Sequence, residues 1–370
     1  MKKILIFSLA YYPRFVGGAE VAIKEITDRL GSDFRFDMVT LRLDRRDLAY
    51  EKIGNVDVYR VGFGTTNYLN KIWYILGAYV KASSLHKKTK YDMSWAMMSY
   101  MGFPALFLKW IKRVPFVLTL QEGDSIEHII KRKRIKIVSG LYKKVFKEAS
   151  IVQVISNYLG DFARSMGYEG KIEMIPNGVD ISRFKSQPRI QGNKIILITT
   201  SRLVEKNAVD DIINSLKYLP ENVELMIAGI GLLEDRLKAQ VRDEKLEERV
   251  KFLDYVSQEN LPKCLQGADI FIRPSLSEGM GISFIEAMAA GIPVIATPVG
   301  GIVDFINDGE TGLFCEVKNP KSIALKVEKL MKDKESRDYI VGNALKLVTE
   351  RYDWNLITQD IKHRVFDILF

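Results

Sequence analysis

Two series of short apolar segments run along the chain, each alternating with helical patterns, and one polar stretch separates them. The apolar segments of the first series read KILIFSL, FDMVTL, VDVYRV, PFVLTL, IVQVIS and KIEMIPN, and helices are expected at about 19–30, 71–87 and 137–148. Strands that alternate with helices imply a mostly parallel sheet, because a parallel connection needs a long crossover. The near-continuous apolar strands indicate a sheet covered on both faces.

The polar stretch contains Pro188, Gly192 and Asn193 and predicts a linker. After it the segments read KIILITTSR, VELMIAG, VKFLDYV, ADIFIRPS and PVIATPV, with helices expected near 210–219, 234–244 and 283–290. The chain has 370 residues, whereas a domain with a single hydrophobic core rarely exceeds about 250 to 300 residues. We therefore predict an α/β protein of two Rossmann-like domains, residues 1–185 and 186–353, that face each other across a cleft. A C-terminal helix at about 354–370 is expected to pack back on the first domain.

The net charge of +9 is unevenly distributed. Residues 1–185 contain 31 Lys and Arg against 18 Asp and Glu, a net charge of +13, and the remainder carries −4. This asymmetry indicates an anionic partner for the first half: a membrane surface or a phosphorylated acceptor, with nucleic acid the least favoured of the three. The run KRKRIK at 131–136 could dock on anionic lipid, although such a run is also typical of a solvated helix face.

Composition argues against several other classes. The MKKILIFSL start lacks a small-residue cleavage pattern, so a buried first strand explains it better than a signal peptide. The apolar stretch 95–108 is shorter than the roughly 18 residues that predict a membrane span. Cys264 and Cys315 make no disulfide framework, and three scattered histidines offer no zinc spacing. We expect a cytoplasmic protein, peripheral on the inner face of the membrane if the basic half binds lipid.

The segment PSLSEGMGISFIEAMAAGIPVIATP, residues 274–298, places Glu278 and Glu286 eight residues apart around a glycine loop. Because a helix is expected to start near Ser283, the backbone N–H groups of Gly281, Ile282 and Ser283 can approach an anion at its N-terminus. This spacing alone is more typical of a loop with two solvated glutamates.

The segment SRLVEKN places Arg202 and Lys206 four residues apart where a strand ends. On a turn entering a helix both cations would lie on one side, where they could neutralise a diphosphate leaving group. Any two surface cations can show the same spacing.

Glycine loops follow two further strands. Gly17 and Gly18, in YPRFVGGAE, allow close backbone approach to an anionic ligand at a helix N-terminus. The AGIG segment around Ile230 invites comparison with a dinucleotide fingerprint, but Glu234 replaces the third glycine, which argues against NAD.

Taken together, these segments closely resemble the signature of the GT-B glycosyltransferases of family 4. The resemblance implies that Glu278 contacts donor-sugar hydroxyls, that Glu286 contacts the nucleotide ribose, and that Arg202 and Lys206 hold the diphosphate. The chain has Asn207 where the family usually has glycine. The segments around Ile230 and around Tyr255 and Val256, in LDYV, would contact the base, and Gly17 and Gly18 would form the N-terminal donor or acceptor loop.

One position departs from the family pattern in a way that affects chemistry. Gln121, in TLQEGD, stands where the family usually has a histidine that helps to position donor and acceptor. A glutamine can still donate a hydrogen bond but does not titrate near pH 7. Gln121 therefore either replaces the histidine or only caps the end of its strand.

The resemblance implies a retaining, metal-independent transfer from a UDP- or GDP-sugar to a glycan or lipid-linked acceptor. The nucleotide-sugar is then a substrate, and no cofactor is expected; the absence of any DxD motif argues against a metal-bound donor. Two alternatives remain: a sugar-nucleotide epimerase or hydrolase on the same fold, and a nucleotide-sugar-binding protein without turnover. Nucleotide release that depends on acceptor would distinguish transfer from both.

Overall fold

The computed structural model describes residues 1–14, 16–131, 133–184 and 193–370. Its chain divides into two compact units: Met1–Asn177 with Trp354–Phe370, and Gly178–Asp353. The predicted linker lies largely outside the described residues, as do Phe15 of the first glycine loop and Arg132 of the basic run. The division falls between Asn177 and Gly178 because the segment that follows bonds to the second unit: the Val179 N–H donates to the Tyr352 carbonyl at 2.7 Å.

The first unit contains an eight-stranded sheet in the order β3-β4-β2-β1-β5-β6-β7-β8, parallel except for the edge pair β3 and β4. Its strands are β1 (Lys2–Ser8), β2 (Phe34–Leu41), β3 (Tyr50–Ile53), β4 (Val56–Val61), β5 (Met93–Met97), β6 (Phe116–Leu120), β7 (Ile151–Val154) and β8 (Ile172–Met174). Its helices before the division are α1 (Gly18–Leu30), α2 (Tyr68–Thr89), α3 (Gly102–Lys112), α4 (Ile126–Lys131), α5 (Lys133–Ile137), α6 (Ser139–Lys147) and α7 (Asn157–Ser165).

The central strands of this sheet are buried on both faces, as the apolar segments predict. Two strands were not expected. β3 alternates exposed and half-buried residues at the sheet edge. β5 overlaps the same apolar stretch as α3, so no change in the sequence pattern marks it as a separate element. A turn at Met98, with φ of 72°, separates β5 from α3. Within the described part of the chain, no helix combines the length and the apolar character that a membrane crossing requires.

The second unit contains a six-stranded parallel sheet in the order β11-β10-β9-β12-β13-β14. Its strands are β9 (Ile195–Thr200), β10 (Val223–Ala228), β11 (Val250–Phe252), β12 (Ile270–Arg273), β13 (Val294–Ala296) and β14 (Leu313–Phe314). Its helices are α8 (Ile181–Phe184), α9 (Val209–Ser215), α10 (Glu234–Asp243), α11 (Leu261–Gln266), α12 (Ile282–Ala289), α13 (Pro320–Lys332) and α14 (Lys334–Arg351). β9 and β12 are parallel neighbours from which the chain adds strands in opposite directions across the sheet, so a switch point for ligand binding lies at their carboxyl ends.

The C-terminal segment belongs to the first unit. It consists of α15 (Trp354–Asp360), a π-helical turn Ile361–Phe366 and a short 3₁₀ turn. Trp354, Ile357 and Phe366 are buried in the core that also contains Trp95, and the rings of Phe366 and Trp95 meet edge to face with centroids 5.2 Å apart. At about 25 cal/mol per Å² of apolar surface, such aromatic burial stabilises the docked segment by several kcal/mol.

Candidate functional site

Loops at the carboxyl ends of β9, β10 and β11 are joined to one another by backbone hydrogen bonds. The Leu203 N–H donates to the Ile230 carbonyl at 3.0 Å, and the Gly229 N–H donates to the Asp254 carbonyl at 2.7 Å. The side chains of Ile230 and Tyr255 project outward with half or more of their surface exposed, and Val256 is half-buried. Three segments that the sequence predicted separately therefore form one edge.

The glycines of AGIG serve this joining. A Cβ at Gly229, whose φ is +147°, would lie 1.8 Å from the Ser201 carbonyl oxygen, and one at Gly231 would lie 2.3 Å from the Leu203 carbonyl oxygen. Such distances are impossible for real Cβ atoms, so only glycine lets the loops after β9 and β10 approach this closely. The pattern that resembled a dinucleotide fingerprint is thus used for packing between loops.

The loop after β9 carries both predicted cations. Arg202 is exposed, whereas Lys206 is half-buried in a 3₁₀ turn, Glu205–Asn207, that precedes α9. The Lys206 carbonyl accepts a hydrogen bond from the Leu276 N–H at 2.7 Å. This bond ties the loop with the cations to the loop after β12, which carries Glu278.

Glu278 is buried, with 7% of its surface exposed. Its Oε2 pairs with the guanidinium of Arg273, the last residue of β12, and its Oε1 accepts from the Gly279 N–H at 3.0 Å. An unpaired buried carboxylate is very costly, so the ion pair makes this placement possible. The sequence prediction missed Arg273, although a charged residue that ends an apolar strand was a signal for a buried partner.

The expected glycine turn at the start of α12 is present. Gly281 precedes the helix with φ of +90°, and a Cβ there would lie 2.7 Å from the Phe284 ring. Ser283 turns its Oγ toward Arg273 and accepts from Nη1 at 2.7 Å, and Ile282 is half-buried. The helix N-terminus follows directly after Glu278, at the same edge of the sheet.

Glu286 lies in the second turn of α12 and is also buried. Burial raises the pKa of its carboxyl to about 7, while the guanidinium groups of Arg183 and Arg273 and a hydrogen bond with Gln258 act in the opposite direction. Arg183, in α8, donates to the Gln258 carbonyl at 2.5 Å, which holds it beside α12. A carboxyl with this pKa changes charge within the physiological range.

In the first unit, Gln121 follows β6 and meets Asn177, which follows β8. Their side-chain amides exchange two hydrogen bonds, Nε2 to Oδ1 at 3.1 Å and Nδ2 to Oε1 at 2.9 Å. A Cβ on Gly18 would lie 3.7 Å from Asn177 Nδ2, so the start of α1 borders the same amide pair. Gly17 and Gly18 are both exposed, and the Gly17 N–H donates to Glu20 Oε2 at 2.9 Å.

One buried carboxyl of the first unit, Glu122, lies beside Gln121 and was not predicted. It accepts hydrogen bonds from the N–H groups of Ser99 at 2.7 Å and Gln121 at 3.0 Å, and burial raises its pKa. Glu122 therefore fixes the backbone of Gln121 and joins the ends of β5 and β6. The predicted site residues thus form one group in each unit. Among the described residues, no three His, Cys, Asp or Glu side chains are placed to hold a metal ion.

Family models and relatives match almost the whole chain. A model of glycosyltransferase family 4 matches residues 16–183, and a model of the glycosyl transferases group 1 matches residues 180–347. An uncharacterised glycosyltransferase of Methanocaldococcus jannaschii is 28% identical to the chain, over 97% of the chain and 96% of that protein.

Solved structures share the fold. Sucrose-phosphate synthase from Thermosynechococcus elongatus superposes with a TM-score of 0.89 at 18% identity, over 100% of this chain and 99% of that one. HepE of Anabaena, solved in complex with UDP-glucose, superposes with a TM-score of 0.81 at 21% identity, over 99% and 100% of the two chains. The chain therefore belongs to the family 4, group 1 glycosyltransferases and has the GT-B fold.

Proposed function

We propose that this glycosyltransferase moves a sugar from a UDP- or GDP-sugar to a glycan or lipid-linked acceptor, with retention at the anomeric carbon and without a bound metal. The observation that carries the proposal is the bond from the Leu276 N–H to the Lys206 carbonyl. It joins the segment with Arg202 and Lys206 to the segment with Glu278, so cations for a diphosphate and a carboxylate for a sugar lie on adjoining loops. A nucleotide-sugar presents these two groups side by side.

Arg202 and Lys206 bind the diphosphate in this proposal. Negative charge accumulates on the leaving phosphate as the glycosidic bond breaks, and fixed cations stabilise that charge without reorganisation. Arg202 offers a planar fork for phosphate oxygens, whereas Lys206 supplies a compact charge. These two side chains take the part that a divalent cation plays in metal-dependent transferases.

Glu278 and Glu286 orient the sugar nucleotide. Glu278 accepts hydrogen bonds from sugar hydroxyls, and Glu286 accepts them from the ribose. The edge formed by Ile230, Tyr255 and Val256 receives the base. The N-terminus of α12, at Gly281, Ile282 and Ser283, adds backbone N–H groups and a helix dipole that favour an anion.

Retention follows a front-face substitution in this proposal. The acceptor hydroxyl oxygen attacks the anomeric carbon from the side of the leaving diphosphate and forms the new glycosidic bond. The bond from the anomeric carbon to the phosphate oxygen breaks, and this oxygen takes the proton of the hydroxyl. Gln121 positions the acceptor or donor through hydrogen bonds and does not itself move a proton. The exposed N-terminus of α1, with Gly17 and Gly18, borders the pair of side-chain amides formed by Gln121 and Asn177.

A lipid surface is the partner that we propose for the first unit. α2 has no acidic residue, and its first turns expose Leu69, Trp73 and Leu76 at spacings of three and four, with exposed fractions of 64%, 58% and 53%. Lys71 and Lys81 lie on the same helix. An exposed apolar face on a helix without acidic residues, in the half of the chain that carries a net charge of +13, is typical of a helix that lies in an anionic membrane interface.

The test is incubation of the protein with UDP- and GDP-sugars, each with and without sugar or lipid-linked acceptors, in EDTA. Nucleotide release that requires acceptor, with the anomeric configuration of the product retained by NMR, supports the proposal. Release without acceptor would instead indicate a hydrolase, conversion of the donor sugar an epimerase, and tight donor binding without turnover a binding protein. Inversion at the anomeric carbon would contradict the mechanism.

A further inference from the structure

Arg273 is the buried cation of the site, with 8% of its surface exposed. Because it ends β12, its side chain lies at the carboxyl edge of the sheet among the loop after β9, the loop after β12 and the first turn of α12. Its guanidinium donates to four side chains: Asn207 Oδ1 at 3.4 Å, Ser275 Oγ at 3.2 Å, Ser283 Oγ at 2.7 Å, and Glu278 Oε2. No role for Arg273 follows from the motifs of the family.

We propose that Arg273 is a positioning residue that holds the Glu278 carboxylate in its productive orientation, and that Asn207 couples this ion pair to the segment with Arg202 and Lys206. The inference rests on the proposed function, because it takes Glu278 as the group that orients the sugar. It adds that one buried side-chain network aligns the diphosphate-binding segment, with Arg202 and Lys206, and the Glu278 carboxylate that contacts the sugar.

The two carboxylate oxygens of Glu278 have different fixed partners. Oε2 pairs with Arg273, and Oε1 accepts from the Gly279 N–H at 3.0 Å. An ionised carboxylate offers about four acceptor positions, so two remain for sugar hydroxyls. Because a planar guanidinium fixes direction as well as charge, the remaining positions point in a defined direction.

Asn207 extends the network toward the cations. Its side chain is 2% exposed, and its Nδ2 donates to the Arg202 carbonyl at 2.7 Å while its Oδ1 accepts from Arg273. The glycine that is usual at this position in the family has no side chain and makes neither bond. In this chain the Asn207 side chain therefore links the Arg202 backbone to the Arg273 guanidinium.

Burial makes the loss of any hydrogen bond in this network costly. A buried guanidinium that loses a partner leaves an uncompensated charge or an unsatisfied donor, so the network favours one arrangement. The Arg273 guanidinium also lies 5.6 Å from the centre of the Phe284 ring of α12, which limits its movement. A displacement of about 1 Å in a positioning group can cost about 100-fold in rate.

The experiment measures acceptor-dependent kcat and donor KM for the wild type, Arg273→Gln, Arg273→Lys, Asn207→Gly and the double variant Arg273→Gln with Asn207→Gly. We expect Arg273→Gln to lower kcat about 100-fold and to change donor KM by less than about threefold. Arg273→Lys should restore only part of kcat, because an ammonium cannot reproduce the fork. Asn207→Gly should lower kcat about tenfold, and should have little further effect when Arg273 is already Gln, since coupled residues are not additive.

Arg249→Gln is the matched control. Arg249 is a half-buried arginine of the same unit whose guanidinium donates to the carbonyls of Val223, Leu216, Leu219 and Pro220, away from Glu278. Its loss should lower the melting temperature but leave kcat within about twofold. This control separates positioning from a general loss of stability.

Wild-type kcat in folded Arg273→Gln or in Asn207→Gly, or additive effects in the double variant, would overturn the inference. If Arg273→Gln does not fold, Arg273→Lys and Asn207→Gly carry the test, and wild-type kcat in both has the same meaning. Failure of the proposed function looks different: the wild type itself would then release no nucleotide in response to any acceptor. Loss of activity in Glu278→Ala together with normal kcat in the Arg273 and Asn207 variants would leave the proposed function standing and remove only this inference.

Discussion

The side-chain amides of Gln121 and Asn177 bind each other through two reciprocal hydrogen bonds, 3.1 and 2.9 Å long, although 56 positions separate them in the sequence. Gln121 follows β6 and Asn177 follows β8. The pairing fixes the orientation of the Gln121 amide. Gln121 is therefore held in place by a specific partner.

Substitution of either amide should lower turnover to a similar extent. We expect Gln121→Ala and Asn177→Ala each to reduce kcat about tenfold. Gln121→Ala removes the positioning amide, and Asn177→Ala removes the partner that fixes its orientation. The double variant should be little worse than either single variant. Steady-state kinetics checks this, and additive losses would show that the two residues act independently.

Glu278→Ala should lower acceptor-dependent turnover by about 100-fold or more, because the sugar loses its fixed carboxylate. The exposed Glu247, which lies in the turn after α10, provides a matched control, and Glu247→Ala should leave turnover unchanged. The measurement is kcat with circular dichroism as a check on folding. Near wild-type turnover in a folded Glu278→Ala protein would exclude Glu278 from the site.

Lys206→Ala and Arg202→Ala should each lower kcat about 100- to 1,000-fold, because charge on the leaving phosphate peaks in the transition state. Lys206→Arg should rescue poorly. Wild-type turnover should survive EDTA. Steady-state kinetics with and without EDTA tests the point, and activity that is lost on chelation and restored by Mg²⁺ would contradict the account.

Affinity for an intact nucleotide-sugar should rise with pH around neutrality. Burial raises the pKa of Glu286 to about 7, and Arg183, Arg273 and Gln258 are the charged and polar groups that face it. Only the ionised carboxylate can accept a ribose hydroxyl on each of two unprotonated oxygens, so Kd should fall about tenfold from pH 6 to pH 8. Isothermal titration checks this with a nucleotide-sugar, whose diphosphate has no terminal ionisation near pH 6.

Glu286→Gln is the control for this pH dependence, since its side chain is neutral throughout. It should flatten the change in Kd. Because burial raises the pKa of Glu286 in the folded protein above its ordinary value of 4.5, the native state binds this proton more tightly than the unfolded chain does, and the stability that results is lost as pH rises through about 7. The melting temperature of Glu286→Gln should therefore depend less on pH in this window, and an identical dependence in both proteins would refute the assignment.

Binding to anionic vesicles should depend on the exposed face of α2. We expect Trp73→Ser with Leu76→Ser to reduce cosedimentation with phosphatidylglycerol vesicles several-fold, because buried apolar side chains contribute about 1.5 to 3 kcal/mol each. Substitution of Lys131, Arg132, Lys133 and Arg134 by Gln should weaken binding mainly at low salt. Leu325→Ser, at an exposed leucine of α13, is the control and should have no effect.

The sequence by itself predicted the α/β class and most of the elements, because each depends on local signals. Apolar runs of four to eight residues predict buried strands wherever they occur, and β1, β6 and β9 lie where their runs placed them. The strands β3 and β5 were missed for two reasons. β3 is an edge strand with little apolar content, and β5 shares one apolar stretch with α3, in which periodicity alone does not mark the turn at Met98.

The sequence also singled out the motif residues, because each motif is a short continuous segment whose resemblance to the family is visible without the fold. Only the tertiary structure showed what these residues contact. Arg273 lies 66 positions from Asn207, and Gln121 lies 56 from Asn177. Parallel strands that are adjacent in a sheet end at the same edge, whatever their separation in the chain. The order of the strands in the sheet therefore determines which strand-end residues contact each other, and no local sequence pattern specifies that order. Burial follows from the same packing, and burial decides that Glu286 titrates near neutrality and that Glu278 needs a cation beside it.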